Sequence, residues 1–273
     1  MSCVTITEAN LDDLSSLAQR AAHEAGRLVG RASIRSLRAS VKSSPTDFVT
    51  EMDRASERLI LEIILTARPD DGLIGEEGTS TPSHGGVSWL VDPIDGTTNY
   101  LRGLPNYSIS IAAINANETV IGVVYDPTLD ETFTAIRGHG AALNGMPITC
   151  STTSLAEAVI GTGFSYSSAQ RARQAELLQT VLPAVADIRR PGSAAVSLCW
   201  VACGRLDAFY ESGLQPWDFA AGSLIAQEAG ADVQGTEPEP AEERLIIASA
   251  PTVTAGLCQM LGSGAHRALI WQR

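Results

Sequence analysis

The sequence predicts a mixed fold, α+β in its first half and α/β in its second: an N-terminal antiparallel sheet covered by helices, joined to a C-terminal mixed α/β half. Three observations predict it. Two amphipathic helical stretches precede any clear strand, short β-prone runs follow between Leu73 and Ile136, and strands and helices alternate from Ala158 onward. With 273 residues and 44% hydrophobic content, the chain has ample material for a buried core.

The first helix is expected after Asn10 as its cap, with Leu11, Leu14, Leu17, Ala18, Ala21, Ala22, Ala25 and Leu28 on one face. A turn-rich segment, Lys42–Asp47, separates it from a second helix over Thr50–Ala67, which turns Ala55, Leu59, Ile63 and Ile64 inward and stops before Pro69. Strands are expected at Leu73–Gly75, Val87–Val91, Tyr107–Ile114, Val120–Tyr125 and Thr132–Ile136, bounded by Gly, Asn and Asp-Pro turns. The Ser/Thr-rich stretch Cys150–Ser154 marks the seam between halves 1–150 and 151–273, which form one functional unit. Beyond it come strand Ala158–Gly161, helices Ala169–Val181 and Ala194–Cys203, strand Asp207–Glu211, helix Asp218–Ala229 and strand Leu245–Ala248. The acidic run Glu237–Glu243 reads as a solvated loop.

Charge narrows the function. Asp plus Glu exceed Lys plus Arg by 31 to 19, a formal charge of -12, which argues against nucleic acid as the main ligand. An acidic protein acting on an anionic substrate must bring its own positive charge, and divalent cations are one way to supply it. The five cysteines, Cys3, Cys150, Cys199, Cys203 and Cys258, are odd in number and scattered, as expected of reduced thiols; Cys199 and Cys203 share a helix face but have no neighbouring histidine for zinc. His23, His84, His139 and His266 are isolated. No stretch approaches the roughly 20 apolar residues of a membrane helix, and the N-terminus lacks signal-peptide character, so a cytoplasmic protein with no membrane partner is expected.

The chemistry lies in three acidic pieces: Gly75-Glu76-Glu77-Gly78, Asp92-Pro93-Ile94-Asp95-Gly96-Thr97-Thr98, and Gln215-Pro216-Trp217-Asp218. Each acid sits where a strand or loop meets a turn or a helix start, positions that project side chains into clefts. Gathered carboxylates repel unless a cation holds them, and a hard oxygen set without Cys or His favours Mg²⁺. In the central piece Pro93 keeps Asp92 extended and removes a ladder donor, so the strand is expected to break there, leaving the Ile94 carbonyl exposed between Asp92 and Asp95. Gly96 permits close backbone approach, and Thr97 and Thr98 open a helix whose free N–H groups suit phosphate. Asp53 alone reads as a first-turn charge favoured by the helix dipole.

Together, Gly75-Glu76-Glu77, Asp92 to Tyr100 and Trp217-Asp218-Phe219-Ala220-Ala221-Gly222 resemble the inositol monophosphatase family, lithium-sensitive, metal-dependent phosphatases. The likeness runs from Lys42–Thr50 to Glu228–Ala231, and Gly161–Tyr166 and Arg189–Ala194 are similar to bacterial members. The resemblance implies a layered αβαβα sandwich, with two or three Mg²⁺ ions per site. It implies Glu76, Asp92 and the Ile94 carbonyl as ligands of one ion, Asp92, Asp95 and Asp218 as ligands of a second, and Glu76 through water for a weaker third. Asp53 matches the acidic partner of Thr97, and with Glu76 these are the expected catalytic groups; Gly96 and Thr97 hold phosphate. Asp95, Gly192, Ser193, Ala194 and Glu211 match substrate contacts, and Lys42 a lid residue. Two metal ions roughly 4 Å apart would serve both the attacking and the leaving oxygen of a phosphate monoester.

The implied reaction is hydrolysis of inositol 1-phosphate, a small phosphorylated polyol, by a homodimer. Family members with the same metal motifs act on histidinol phosphate. Fructose bisphosphate and 3′-phosphoadenosine nucleotides rank lower, since no basic cluster is added for a second phosphate. A non-enzymatic alternative is a regulatory partner of the transcription machinery.

Overall fold

The computed structural model describes residues 8–31, 39–41, 48–235 and 245–262. Helix α1 (Glu8–Arg31) begins before Asn10, which lies within it rather than capping it, because Glu8 and Ala9 are good helix formers. A small antiparallel pair, β1 (Ala39–Val41) and β2 (Phe48–Thr50), intervenes before helix α2 (Glu51–Ala67), where no strand was expected; Phe48, Val49 and Thr50 all have strong β preference. Lys42 and the turn Lys42–Asp47, like the acidic run Glu237–Glu243, lie outside the described residues.

Next come β3 (Gly72–Gly75), β4 (Ser80–Thr81), β5 (Val87–Asp95), helix α3 (Thr97–Arg102), β6 (Ser108–Asn115), β7 (Glu118–Asp126), β8 (Glu131–Ile136), β9 (Ala141–Leu143) and β10 (Met146–Pro147). They form one eight-stranded sheet in the order β10-β9-β8-β7-β6-β5-β3-β4. The sheet is mixed, not antiparallel as expected: β3 and β5 run parallel, because the hairpin to β4 returns the chain to the starting end of β3. The second half contributes β11 (Val159–Thr162), α4 (Ser168–Val181), β12 (Asp187–Arg189), α5 (Ala194–Ala202), β13 (Ala208–Glu211), α6 (Pro216–Glu228), β14 (Asp232–Gln234), β15 (Ile246–Ser249) and α7 (Pro251–Gly262). Its sheet, β12-β11-β13-β15-β14, is mixed as expected. The strands that sequence reading missed in the two sheets, β4, β9, β10, β12 and β14, are two or three residues long, too short to show a period.

Five layers result. Leu14, Ala18, Ala21 and Ala25 of α1 and Ile60 and Ile64 of α2 pack on Trp89, Val91, Ile109 and Ile111 of the large sheet. On its other face Leu90, Ala112, Val124 and Phe133 meet α5 and α6, which in turn cover Phe209, Ile246 and Ala248 of the small sheet. Leu177 and Val181 of α4 and Val253 and Leu257 of α7 close the outer face. Among the described residues no helix is long and apolar enough to cross a membrane.

Two departures matter for the site. The inward face of α2 is not Ala55, Leu59 and Ile63, which are only partly buried; it carries Asp53, Ser56, Glu57, Ile60 and Ile64. Helical spacing permits both stripes, and polar partners beyond the helix decide between them. Second, β5 does not break at Pro93. Asp92 pairs with Ser110 and Asp95 with Ser108, so three steps along β5 answer two along β6. The extra residue makes a bulge, which needs no ladder donor from proline.

The middle layer depends on close approach. A Cβ on Gly122 of β7 would lie 2.6 Å from the Ala221 carbonyl oxygen of α6, a backbone atom that cannot swing away. Gly122→Ala is expected to cost about 1–3 kcal/mol through overpacking, lowering the thermal midpoint by roughly 2–10 °C; an unchanged midpoint in calorimetry would contradict this contact.

Candidate active site

The β5 bulge builds the centre of the site. It turns Asp92 and Asp95 into a cleft of about 560 Å³, within the usual size for a small-molecule site. Opposite them on β6 stand Ser108 and Ser110, on the face turned to the middle layer. Ser110 donates its hydroxyl to the Trp217 carbonyl at 3.1 Å, and Ser108 lies 3.3 Å from the Ser193 hydroxyl. The two serines thus draw the N-termini of α6 and α5 toward the acids. Sequence reading missed both; their alternation with Ile109 and Ile111 is the pattern that carries them.

Each acid is held by a different element. Asp95 lies at the start of α5, where the Ser193 hydroxyl and the Ala195 N–H donate to its Oδ2, the latter at 2.7 Å. Ser193 also caps α5 by accepting the Val196 N–H at 3.0 Å. Asp218 sits in the first turn of α6, and its Oδ2 accepts the Gln215 N–H at 2.7 Å. Glu76 follows β3, with its N–H donated to the Val91 carbonyl at 3.1 Å, and lines the same cleft as Asp92, Asp95 and Asp218.

Thr97 opens α3 after Gly96, whose φ of 91° is easy only for glycine. Its hydroxyl reaches the Ile94 carbonyl at 3.0 Å and Asp53 Oδ1 at 3.4 Å. Asp53 does sit in the first turn of α2, but fully buried, and the pairing with Thr97 implied by the resemblance is present in the geometry. Asn99 of α3 donates its side-chain amide toward the Pro105, Asn106 and Pro191 carbonyls at 2.8–2.9 Å, fastening the loop before Gly192. At the far end of the cleft Glu211 ends β13, close beside Gly163 and Arg190, while Gly192, Ser193 and Ala194 line the wall. All the catalytic, metal-ligating, phosphate-binding and substrate-contact residues expected from sequence therefore line this cleft except Asp53, which stands behind Thr97; Lys42 lies outside the described residues.

Electrostatics show what is missing from the carboxylates alone. Burial drives Asp92 well above the ordinary carboxylate range, reinforced by Glu76, Asp95 and Asp218. Burial likewise raises Asp218, with Asp95 adding to the effect. Asp95 is pushed up to about 6 by burial despite the donors of α5, and Glu211 to about 7 by burial despite Arg190. Among the described residues no three carboxylate, histidine or cysteine groups are already gathered tightly enough to enclose an ion. The all-oxygen donor set nonetheless fits hard divalent cations, which would offset the mutual repulsion of these carboxylates.

The described histidines and cysteines stay outside this chemistry. His23, half-buried on α1, makes a 2.7 Å hydrogen bond to Thr132, and Cys150, Cys199, Cys203 and Cys258 form no disulfide.

Known proteins with the same arrangement form a coherent set. The inositol monophosphatase family matches residues 10–264. Inositol-1-monophosphatase SuhB of Mycobacterium tuberculosis is 46% identical over 232 residues, covering 81% of this chain and 80% of that protein. Nus factor SuhB of Pasteurella multocida is 41% identical over 225 residues, covering 81% and 84%. Among solved structures, extragenic suppressor protein suhB from Bartonella henselae superposes with a TM-score of 0.88 at 36% identity, covering 92% of this chain and 99% of that one. The Thermotoga maritima IMPase superposes at 0.81 with 34% identity, covering 93% and 97%. With the family model matching residues 10–264 and the fold superposing over nearly the whole chain, this chain belongs to the inositol monophosphatase family of phosphatases.

Proposed function

We propose that the protein is a Mg²⁺-dependent phosphomonoesterase that hydrolyses inositol 1-phosphate to inositol and phosphate. The observation that carries the reading is the meeting of Glu76, Asp92, Asp95 and Asp218 in one cleft beside the Thr97–Asp53 pair, with the polar wall of Gly192 and Glu211 opposite. Glu76, Asp92 and the second lone pair of the Ile94 carbonyl would hold one Mg²⁺, Asp92, Asp95 and Asp218 another, and Glu76 would help a third through water. When bound, Mg²⁺ neutralises charge on the attacking and leaving oxygens.

The remaining chemistry belongs to the chain. The Thr97 hydroxyl orients the attacking water, and the water's proton passes by way of Thr97 toward Asp53 as its oxygen bonds to phosphorus. N–H groups of Gly96 and Thr97 hold phosphate oxygens. The ester P–O bond breaks on the opposite side, and the departing alkoxide takes a proton from solvent. Polyol hydroxyls donate to Asp95 and Glu211, and Gly192, Ser193 and Ala194 shape that end of the cleft. Catalysis rests on positioning and electrostatics, with no phosphoenzyme. Among the described residues lining the cleft, Arg190 is the one cationic side chain, which supports a monoester over a bisphosphate.

Asp92→Asn and Asp218→Asn are expected to lower Mg²⁺-dependent phosphate release by roughly 10³-fold while keeping the circular-dichroism spectrum. The substrate is tested by a panel of inositol 1-phosphate, histidinol phosphate, fructose 1,6-bisphosphate and 3′-phosphoadenosine 5′-phosphate. Inositol 1-phosphate should lead by about tenfold in kcat/KM, and a lead by histidinol phosphate would replace the inositol reading.

The raised carboxylates also set a pH dependence. Asp95 and Glu211 bind protons more tightly folded than unfolded, so their contribution to stability is complete below about pH 4 and is lost as pH rises through 6 and 7. Chelator-treated protein should melt at a higher temperature at pH 5.5 than at pH 7.5, and Mg²⁺ should raise the midpoint more at pH 7.5. An apo midpoint that climbs from pH 5.5 to 7.5 would contradict the assignment of these groups.

A second role is favoured by relatives named Nus factor SuhB at 40–42% identity. If the protein also serves the transcription machinery, it should copurify with RNA polymerase, and Asp92→Asn should not reduce the yield; loss of copurification in that variant would tie the association to the catalytic site.

A further inference from the structure

Glu57 has no part in the chemistry described above, yet it is 3% exposed and carries a carboxylate into the large sheet's edge. Its hydrogen-bond donors come from one loop. The Glu77 N–H donates to its Oε2 at 2.8 Å, and the Thr79 N–H and hydroxyl donate to its Oε1, the N–H at 3.3 Å. That loop is the turn from β3 to β4, and Glu76 is the residue in it that faces the cleft. The turn is closed on itself by the Gly75 N–H to the Thr79 carbonyl at 2.8 Å. Gly75 gives the carboxylate room, since a Cβ there would overlap the Glu57 carboxyl atoms.

We infer that Glu57 is a positioning residue: it acts through the β3–β4 turn to hold Glu76 at the angle needed to share a divalent cation with Asp92. A carboxylate that accepts several N–H and O–H donors fixes the groups that donate to it, as a side chain does at a helix cap. Glu76 needs such a support because its neighbours on the cleft side are other acids, which repel it when ionised. The turn would otherwise relax outward, and the distance between Glu76 and Asp92 would no longer be set by the fold. Helix α2 thereby reaches the site at three points from one face: Asp53 beside Thr97, the Ser56 hydroxyl on the Pro93 carbonyl at 3.1 Å, and Glu57 under Glu76.

This inference rests on the proposed Mg²⁺ chemistry. The experiment is isothermal titration calorimetry of the full-length protein with MgCl₂ alone, no substrate present, on wild type, Glu57→Gln and Thr79→Val, with thermal melting in chelator alongside. Glu57→Gln keeps the side chain's size and one acceptor, and it should weaken Mg²⁺ binding by about tenfold, as loss of an outer-shell support does, with KM for inositol 1-phosphate at saturating Mg²⁺ changed by less than about twofold. Thr79→Val, which removes one donor and preserves shape, should weaken binding in the same direction by a smaller factor. Mg²⁺ affinity within twofold of wild type in a folded Glu57→Gln overturns the inference. If Glu57→Gln does not fold, unchanged affinity in Thr79→Val overturns it instead. Wild-type protein that gives no heat with Mg²⁺ overturns the metal reading itself, and with it this inference.

Discussion

Carboxylates that are buried together push one another apart, and the architecture around this site is organised against that push. Asp92, Asp95 and Asp218 each accept an N–H from β5, α5 or the start of α6, and Glu76 is placed by its own N–H on the Val91 carbonyl. Asp92 accepts the Ile94 N–H at 3.0 Å from within its own bulge, Asp95 is held by α5, and Asp218 is folded back on Gln215. No single element could hold all four, since strands and helices space side chains too regularly to converge them. The bulge in β5, the helix starts and the β3–β4 turn supply the irregularity.

The outer helix α2 and the inner helices α5 and α6 do this from opposite faces of the large sheet. From one side come Asp53, Ser56 and Glu57, polar groups buried where a core helix would ordinarily present apolar ones. From the other come Ser193, Ala195 and Asp218, each in the first turn of a helix or at its cap, where N–H groups are free to receive charge. Ser108 and Ser110, whose register places them opposite Asp95 and Asp92, tie the sheet to the inner helices.

Much of this was legible in the sequence. The long helices and the main strands announce themselves by period, and the Asp-Pro-Ile-Asp-Gly-Thr-Thr segment, with Glu76 and Asp218, identifies the cleft by residue type alone. What failed was local and has a common cause. The inward face of α2 was misjudged because hydrophobic spacing takes no account of partners such as the Glu76 turn, which make Glu57 and Asp53 worth burying. The break expected at Pro93 became a bulge because the neighbouring strand could accommodate an extra residue. The parallel pairing of β3 with β5 depends on a two-residue strand that no pattern reveals. Asp53 and Thr97, 44 positions apart, meet only in three dimensions, so their pairing could be expected from resemblance and not from spacing.

The placement of α5 and α6 between the two sheets bears on how the chain can be made. While it is being synthesised, the strands through Ala141 leave the ribosome before residues 194–228, which supply the cover for their inner face. At ordinary elongation rates that interval lasts on the order of ten seconds. Throughout it Leu90, Val124 and Phe133 have no native neighbour on that side, and Asp95 does not yet have α5 to hold it. Translation of the last third of the protein is therefore when the nascent chain gains both its interior and its acidic cleft.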